Sequence, residues 1–185
     1  MWRKRKPAVD EAERVIADPE KARERTMNRA VKLLAAKPRS VGELRERLLE
    51  KDWTNREIVD AVIEKLSEYK YLDDTQFAHD LAVSKLRQKP QGKRRLLQLM
   101  SQKKLDREIV DDAITAAYEK LPEADLIDRA IEKRMRLKGV PETREDKKKF
   151  YDYLMRQGFS YELIISRMSD ASRPTFENEE QKPLS

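Results

Sequence analysis

The chain has 185 residues, 41 Lys and Arg against 35 Asp and Glu, a net charge of +6 and an apolar fraction of only 38%. A charged fraction of 41%, against about 25% in ordinary soluble domains, fits long amphipathic helices with charged outer faces rather than a compact sandwich or barrel. Four glycines, no cysteine and one histidine exclude a glycine-rich phosphate loop, a thiol nucleophile, a disulfide frame and a Cys/His zinc cluster.

Met1 to Lys6 is basic and runs into Pro7 and Asp10, without the apolar region of a signal peptide. No stretch reaches the roughly 18 apolar residues of a membrane span. The expectation is a soluble cytoplasmic protein whose residues 1–25 are a charged extension, adding at most a weakly striped helix over Glu11 to Arg25.

Thr26 to Ala36 reads as a helix stopped by Pro38. Ser40 with Glu43 three residues on is a capping box for a helix carrying Leu44, Leu48 and Leu49. Thr54 with Glu57 repeats the device ahead of a helix striped by Ile58, Val62, Ile63 and Leu66. These helices make a first unit, 26–72. The pattern then recurs: Ala30, Val31, Leu34, Lys37 and Pro38 return 52 places on as Ala82, Val83, Leu86, Lys89 and Pro90, and Leu44, Leu48 and Trp53 as Leu96, Met100 and Leu105. In this second unit, 73–121, Asp74 is the expected cap of a helix bearing Phe77, Leu81 and Leu86. Pro90 and Gly92 punctuate, and Asp106 opens a helix with Ile109, Val110, Ala113 and Ile114. Pro122 opens a degenerate third unit, 122–171, in which Phe150, Leu154, Phe159 and Ile164 fall 54 places after Leu96, Met100, Leu105 and Val110. The predicted fold is all-α: three tandem three-helix repeats in an elongated, curved array, each burying its apolar face against the next. Residues 172–185, with prolines and glutamates, read as a disordered tail.

Charge is unevenly distributed. From Ser84 to Lys104 there are eight cations, Lys85, Arg87, Lys89, Lys93, Arg94, Arg95, Lys103 and Lys104, and no acid. From Ser40 to Val83 eleven acids face six cations. A second basic stretch, interspersed with acids, contains Arg134, Arg136, Lys138, Lys147 and Lys148. Solvated helix faces usually pair Glu with Lys four residues apart; the uncompensated run reads instead as an electrostatic footprint for phosphate. Lys93, Arg94 and Arg95 are consecutive and a helix turns about 100° per residue, so the effective pair is expected to join one of them with Lys103 or Lys104.

Other conspicuous residues have plainer readings. Trp53 aligns with Leu105 and Phe159 and is expected in the core rather than under a stacked base. His79 reads as a surface or satisfied histidine, and Asp73 with Asp74 as a helix cap rather than a metal pair. Tyr69 and Tyr71, two apart at a helix end, cannot share one face, so at most one is expected in the core. No residue set calls for a metal, a cofactor or a catalytic role.

The run Y-L-D-D-T-Q-F-A at 71–78, R-S-V-G-E-L-R-E-R-L at 39–48, the I-V-D-A-V-I-E-K-L helix and the three tandem three-helix units together resemble the RecX family of bacterial recombination regulators, over residues 26 to about 170. The resemblance implies a non-enzymatic, monomeric modulator that binds the RecA recombinase filament on single-stranded DNA. It would lie in the filament's helical groove and mainly inhibit its recombinase, ATPase and coprotease activities. Two other classes stay open on composition: a general DNA-binding helical repeat protein, and a scaffold that binds only protein through its acidic first unit.

Overall fold

A computed structural model describes residues 14–171; the first thirteen residues and the tail expected at 172–185 lie outside the described residues. The described chain forms helices α1 (Pro19–Ala36), α2 (Val41–Leu49), α3 (Arg56–Glu68), α4 (Asp74–Gln88), α5 (Lys93–Ser101), α6 (Arg107–Lys120), α7 (Glu123–Lys138), α8 (Arg144–Gln157) and α9 (Tyr161–Ala171). No strand occurs among the described residues. The helices group by threes, and the closest helix packing is within each group.

α1 begins seven residues before the expected Thr26. Its start is written by Asp18, whose carboxylate accepts from the Lys21 N–H, and by Pro19 at the first helical position, a combination that satisfies one free N–H and removes another. Two further starts differ from the sequence reading by one residue. Asn55, not Thr54, caps α3 by accepting from the Ile58 N–H, and Asp73, not Asp74, caps α4 by accepting from the Gln76 N–H. The displaced residues have other partners: Thr54 is buried and its hydroxyl receives the hydrogen bond of Thr26, while Asp74 reaches into the preceding unit.

The repeat offsets place the core. Ala30, Ala82 and Ala130 are completely or almost completely buried, as are the pairs Leu44 and Leu48, Leu96 and Met100, and Phe150 and Leu154. Two apolar cores result. One belongs to the first unit, from Ala30 through Leu66 to Leu72. The other runs without interruption from Ala78 in α4 to Ile164 in α9, through the second and third units.

Two expectations about large side chains are corrected, and a third, that at most one of Tyr69 and Tyr71 is in the core, holds. Trp53 is only half-buried, with the Arg25 guanidinium 3.7 Å from its ring centroid; the loop below it is held by Arg14, which donates to the carbonyls of Lys51 and Thr54. α4 buries Ala78, Ala82 and Leu86, so Phe77 and Leu81 stand beside the core at half exposure rather than in it. Both tyrosines at the end of α3 are exposed, Tyr69 at 62% and Tyr71 at 71%.

The units are joined by one device used twice. At the first junction the Ser40 hydroxyl donates to the Lys103 carbonyl, and at the second the Gly92 N–H donates to the Gln157 carbonyl, 3.0 Å away. A carboxylate from the following unit then receives the first N–H of the middle helix: Asp74 from Val41 at 2.8 Å, and Glu123 from Lys93 at 2.9 Å. A glycine lets the backbones meet each time, since a Cβ on Gly42 would lie 2.5 Å from the Lys104 carbonyl oxygen and one on Gly92 2.2 Å from that of Gly158.

Candidate functional site

The basic residues singled out by sequence separate into three places. Lys85, Arg87 and Lys89 close α4, and the four-residue turn Lys89 to Gly92 carries the chain directly to Lys93, Arg94 and Arg95 in the first turn of α5. Cations at a helix start oppose the helix dipole, and α5 has no side-chain cap of its own. The Glu123 carboxylate, bound to the Lys93 N–H, supplies the missing negative charge. The Lys93 ammonium lies 5.7 Å from the ring centroid of Tyr118. The Tyr118 hydroxyl donates to the Gln91 carbonyl, and burial with the nearby Glu123 charge raises its pKa. These contacts fix the turn from which the cations project. Arg87, Lys89, Lys93, Arg94 and Arg95 are exposed, and none forms an ion pair among the described residues.

Lys103 and Lys104 lie elsewhere. α5 ends at Ser101, and the turn after it points at the first unit, where the Lys103 ammonium meets Glu43 at 3.0 Å and Lys104 meets Glu46. The Lys104 hydrogen bond and charge hold the Glu46 carboxyl below its usual range. The acid-free run of the second unit therefore draws part of its compensation from the acid-rich first unit, at a distance along the chain that no local spacing reveals. These two lysines are joints between units, not partners of Lys93 to Arg95.

The third place is the corner between α7 and α8. Arg136 and Lys138 occupy the last turn of α7, where cations suit the dipole, and Lys147 and Lys148 are exposed in the first turns of α8. Arg134 lies 5.0 Å from the Tyr153 ring centroid, which sets one wall of the corner. Because Glu123 at the start of α7 touches Lys93, Arg136 stands about 20 Å further along that helix at 1.5 Å per residue. The two basic stretches thus form two patches separated by roughly the length of α7.

Sequence reading missed further members. Lys120, from the end of α6, shares a shallow groove with Arg87 and donates to the His79 Nε2 at 2.8 Å. An ammonium only donates, so in this contact the His79 Nε2 accepts, while Nδ1 faces Asp80; His79 is a satisfied histidine. Lys21, Arg25, Arg29 and Lys32 line one face of α1 beside Trp53, a three- and four-residue spacing visible in the sequence but diluted by Glu20 and Glu24. No cluster of three or more His, Cys, Asp or Glu suited to a metal occurs among the described residues, and no described helix is long and apolar enough to cross a membrane.

Comparison with known proteins agrees with the division into threes. Sequence models of the RecX first, second and third three-helix domains match residues 27–66, 73–114 and 122–166. The regulatory protein RecX of Chlorobium limicola is 35% identical over 136 residues, 73% of this chain and 82% of that protein. That of Chlorobaculum tepidum is 30% identical over 139 residues, 75% and 82%. The crystal structure of RecX from Lactobacillus salivarius superimposes with a TM-score of 0.71 at 20% identity, covering 82% of this chain and 97% of that one.

Proposed function

The chain belongs to the RecX family of regulatory proteins, and on that premise we propose that it binds the RecA recombinase filament formed on single-stranded DNA and restrains its activity, as a monomer in the cytoplasm. The observation that carries the reading is the pair of basic patches, Arg87 to Arg95 and Arg136 to Lys148, whose exposed cations have few partners among the described residues and stand about 20 Å apart along α7. Phosphate contacts of this kind are sequence-independent and supply affinity for any nucleic acid. Two such patches on a rigid apolar core suit a partner that presents phosphate at regular intervals, as a nucleoprotein groove does. Lys103 and Lys104, tied to Glu43 and Glu46, hold the first unit in place instead of contacting DNA.

The test is inhibition of DNA-dependent ATP hydrolysis by recombinase. The expected outcome is inhibition at amounts of this protein comparable with or below those of recombinase monomers. Changing Arg94 and Arg95 to Glu should raise the required concentration without loss of helix, since both are exposed, and added salt should act in the same direction. Binding to naked DNA as tight as binding to the filament favours the general DNA-binding reading. Unchanged ATP hydrolysis and strand exchange at equimolar protein and low salt overturn the proposal.

A further inference from the structure

A large groove lies apart from both basic patches. It runs between α1 and α3 of the first unit and α4 of the second, with a volume of about 1120 Å³, above the roughly 300–1,000 Å³ of small-molecule sites. Its walls are apolar side chains at the margin of the core: Met27, Val31 and Leu34 on α1, of which Met27 and Leu34 also pack against the first-unit core, and Phe77 and Leu81 on α4. Val31 is 50% exposed. In a chain with so few apolar residues, five of them, four half-buried and one exposed, meet along one open groove, an apolar lining of the kind that grooves for partner helices present.

The end of α3 adds two aromatic rings and a strained residue. Lys70 has φ +60°, a left-handed conformation that costs a residue with a Cβ roughly 1–2 kcal/mol and that glycine adopts freely. The turn is a Schellman motif, with the Tyr71 N–H bonded to the Leu66 carbonyl and the Lys70 N–H to that of Ser67. It holds the exposed Tyr69 and Tyr71 on either side of the lysine at the groove's edge. Strain of this kind is retained where the side chain has a use.

The rim is cationic. Lys37, Arg39, Lys65 and Lys70 surround the groove, and none has an ion pair among the described residues. The acids that reach it are engaged: Asp73 caps α4, and Asp80 is held below its usual range by its hydrogen bond with Gln76 and by His79. We propose that this groove binds an acidic amphipathic helix of a protein partner, its apolar face between α1 and α4 and its carboxylates on the lysine rim. Four of the five wall residues are aliphatic, which favours a peptide over single-stranded nucleic acid, since that needs open ring faces in series. Stripes at three- and four-residue spacing on the walls suit anchors at i, i+3, i+4 and i+7 of an incoming helix. The proposal does not depend on the filament reading, because it concerns a different face and a different kind of ligand.

The test is selection of a random peptide library, displayed on phage, against the full-length protein, with counter-selection against the Tyr69→Ser, Tyr71→Ser double variant. The expected consensus interleaves Asp or Glu with Leu, Phe or Trp at helical spacing. The synthetic consensus peptide, labelled for fluorescence anisotropy, should bind the double variant about tenfold more weakly. Lys70→Gly should lose about threefold in affinity, as one exposed charge pair does, while its unfolding midpoint rises through release of the strained conformation. A variant that is more stable and binds less cannot be explained by misfolding. The proposal is overturned by a consensus without acids, by failure to enrich any peptide, by a Lys70→Gly protein that binds as tightly as the parent, or by an oligothymidine that displaces the peptide and itself depends on Tyr69 and Tyr71.

Discussion

The two junctions of the array share a backbone plan but differ in what fills it. Between the second and third units the apolar core is continuous, from Ala78 to Ile164. Between the first and second it is interrupted, and contact rests on the Asp74 cap, the Ser40 hydroxyl and the ion pairs of Lys103 and Lys104. Burial is non-directional and carries no charge for salt to screen, whereas exposed or half-exposed charge pairs are weak and screened. The same architecture thus yields a fused pair and a docked neighbour. The difference places the large groove at the softer joint, where two units meet without merging.

The most severe test of this contrast is truncation in each core. Phe159→Ala should cost about 3–5 kcal/mol and, because Phe159 lies in the shared core, should deprotect amides of α4 to α9 together in hydrogen exchange. Leu44→Ala, worth about 2–5 kcal/mol, should deprotect α1 to α3 and leave α6 protected; equal loss in α6 would show that the cores are one. Gly42→Ala comes next. Its Cβ would fall 2.5 Å from the Lys104 carbonyl, so about 1–3 kcal/mol of overpacking should open the first junction, read as lost protection in the turn after α5 while α2 and α3 stay protected.

Lys103→Met is comparable. It leaves Glu43, mostly buried and with one carboxylate oxygen already lacking a partner among the described residues, without its cation, at a cost of about 1–3 kcal/mol. The loss should appear in the first unit's unfolding by exchange, and 1 M salt should reproduce only part of it. The smallest effect concerns pH. Burial raises the Asp74 pKa above 3.8, more than the Val41 N–H lowers it. A raised folded pKa means the folded state binds the proton more readily, so this group adds stability as pH falls through its folded pKa toward 3.8. Glu46 acts oppositely: its pKa lies below 4.5, and its contribution is lost as pH falls through that lower value. Asp74→Asn, which keeps an acceptor for Val41, should remove the first component and leave the second, in acid titrations of first-unit stability.

Much of the fold was legible because the repeat compares each position with two others. Leu44, Leu96 and Phe150 align at offsets of 52 and 54 and all are buried. What was hidden follows from geometry that a single stripe does not encode. α4 carries two adjacent rows, Phe77 with Leu81 and Ala78 with Ala82 and Leu86; the larger residues suggest the core, but the small ones permit the close approach to α6 and take it. The caps at Asp73 and Asn55 were missed because their neighbours Asp74 and Thr54 are equally good cap residues with distant partners. For the site, the sequence located the cations around α5 and α7, but the assignment of Lys103 and Lys104 needed the fold, since their carboxylates lie about 60 positions away.

The carboxylates that complete the middle helices give the molecule a reading direction. α2 depends on Asp74 and α5 on Glu123, each from the unit that follows, whereas α8 closes itself, with Thr143 accepting from the Asp146 N–H and donating to its side chain. The two ends of the array are therefore not equivalent under deletion or duplication. Shortening from the front removes a unit on which no later helix start relies; shortening from the back strips α5 of the carboxylate at its start and halves a shared core. A lineage that lengthens or trims this protein by whole units meets less resistance at the amino end, and a fourth unit added behind α9 would find the preceding middle helix already sealed.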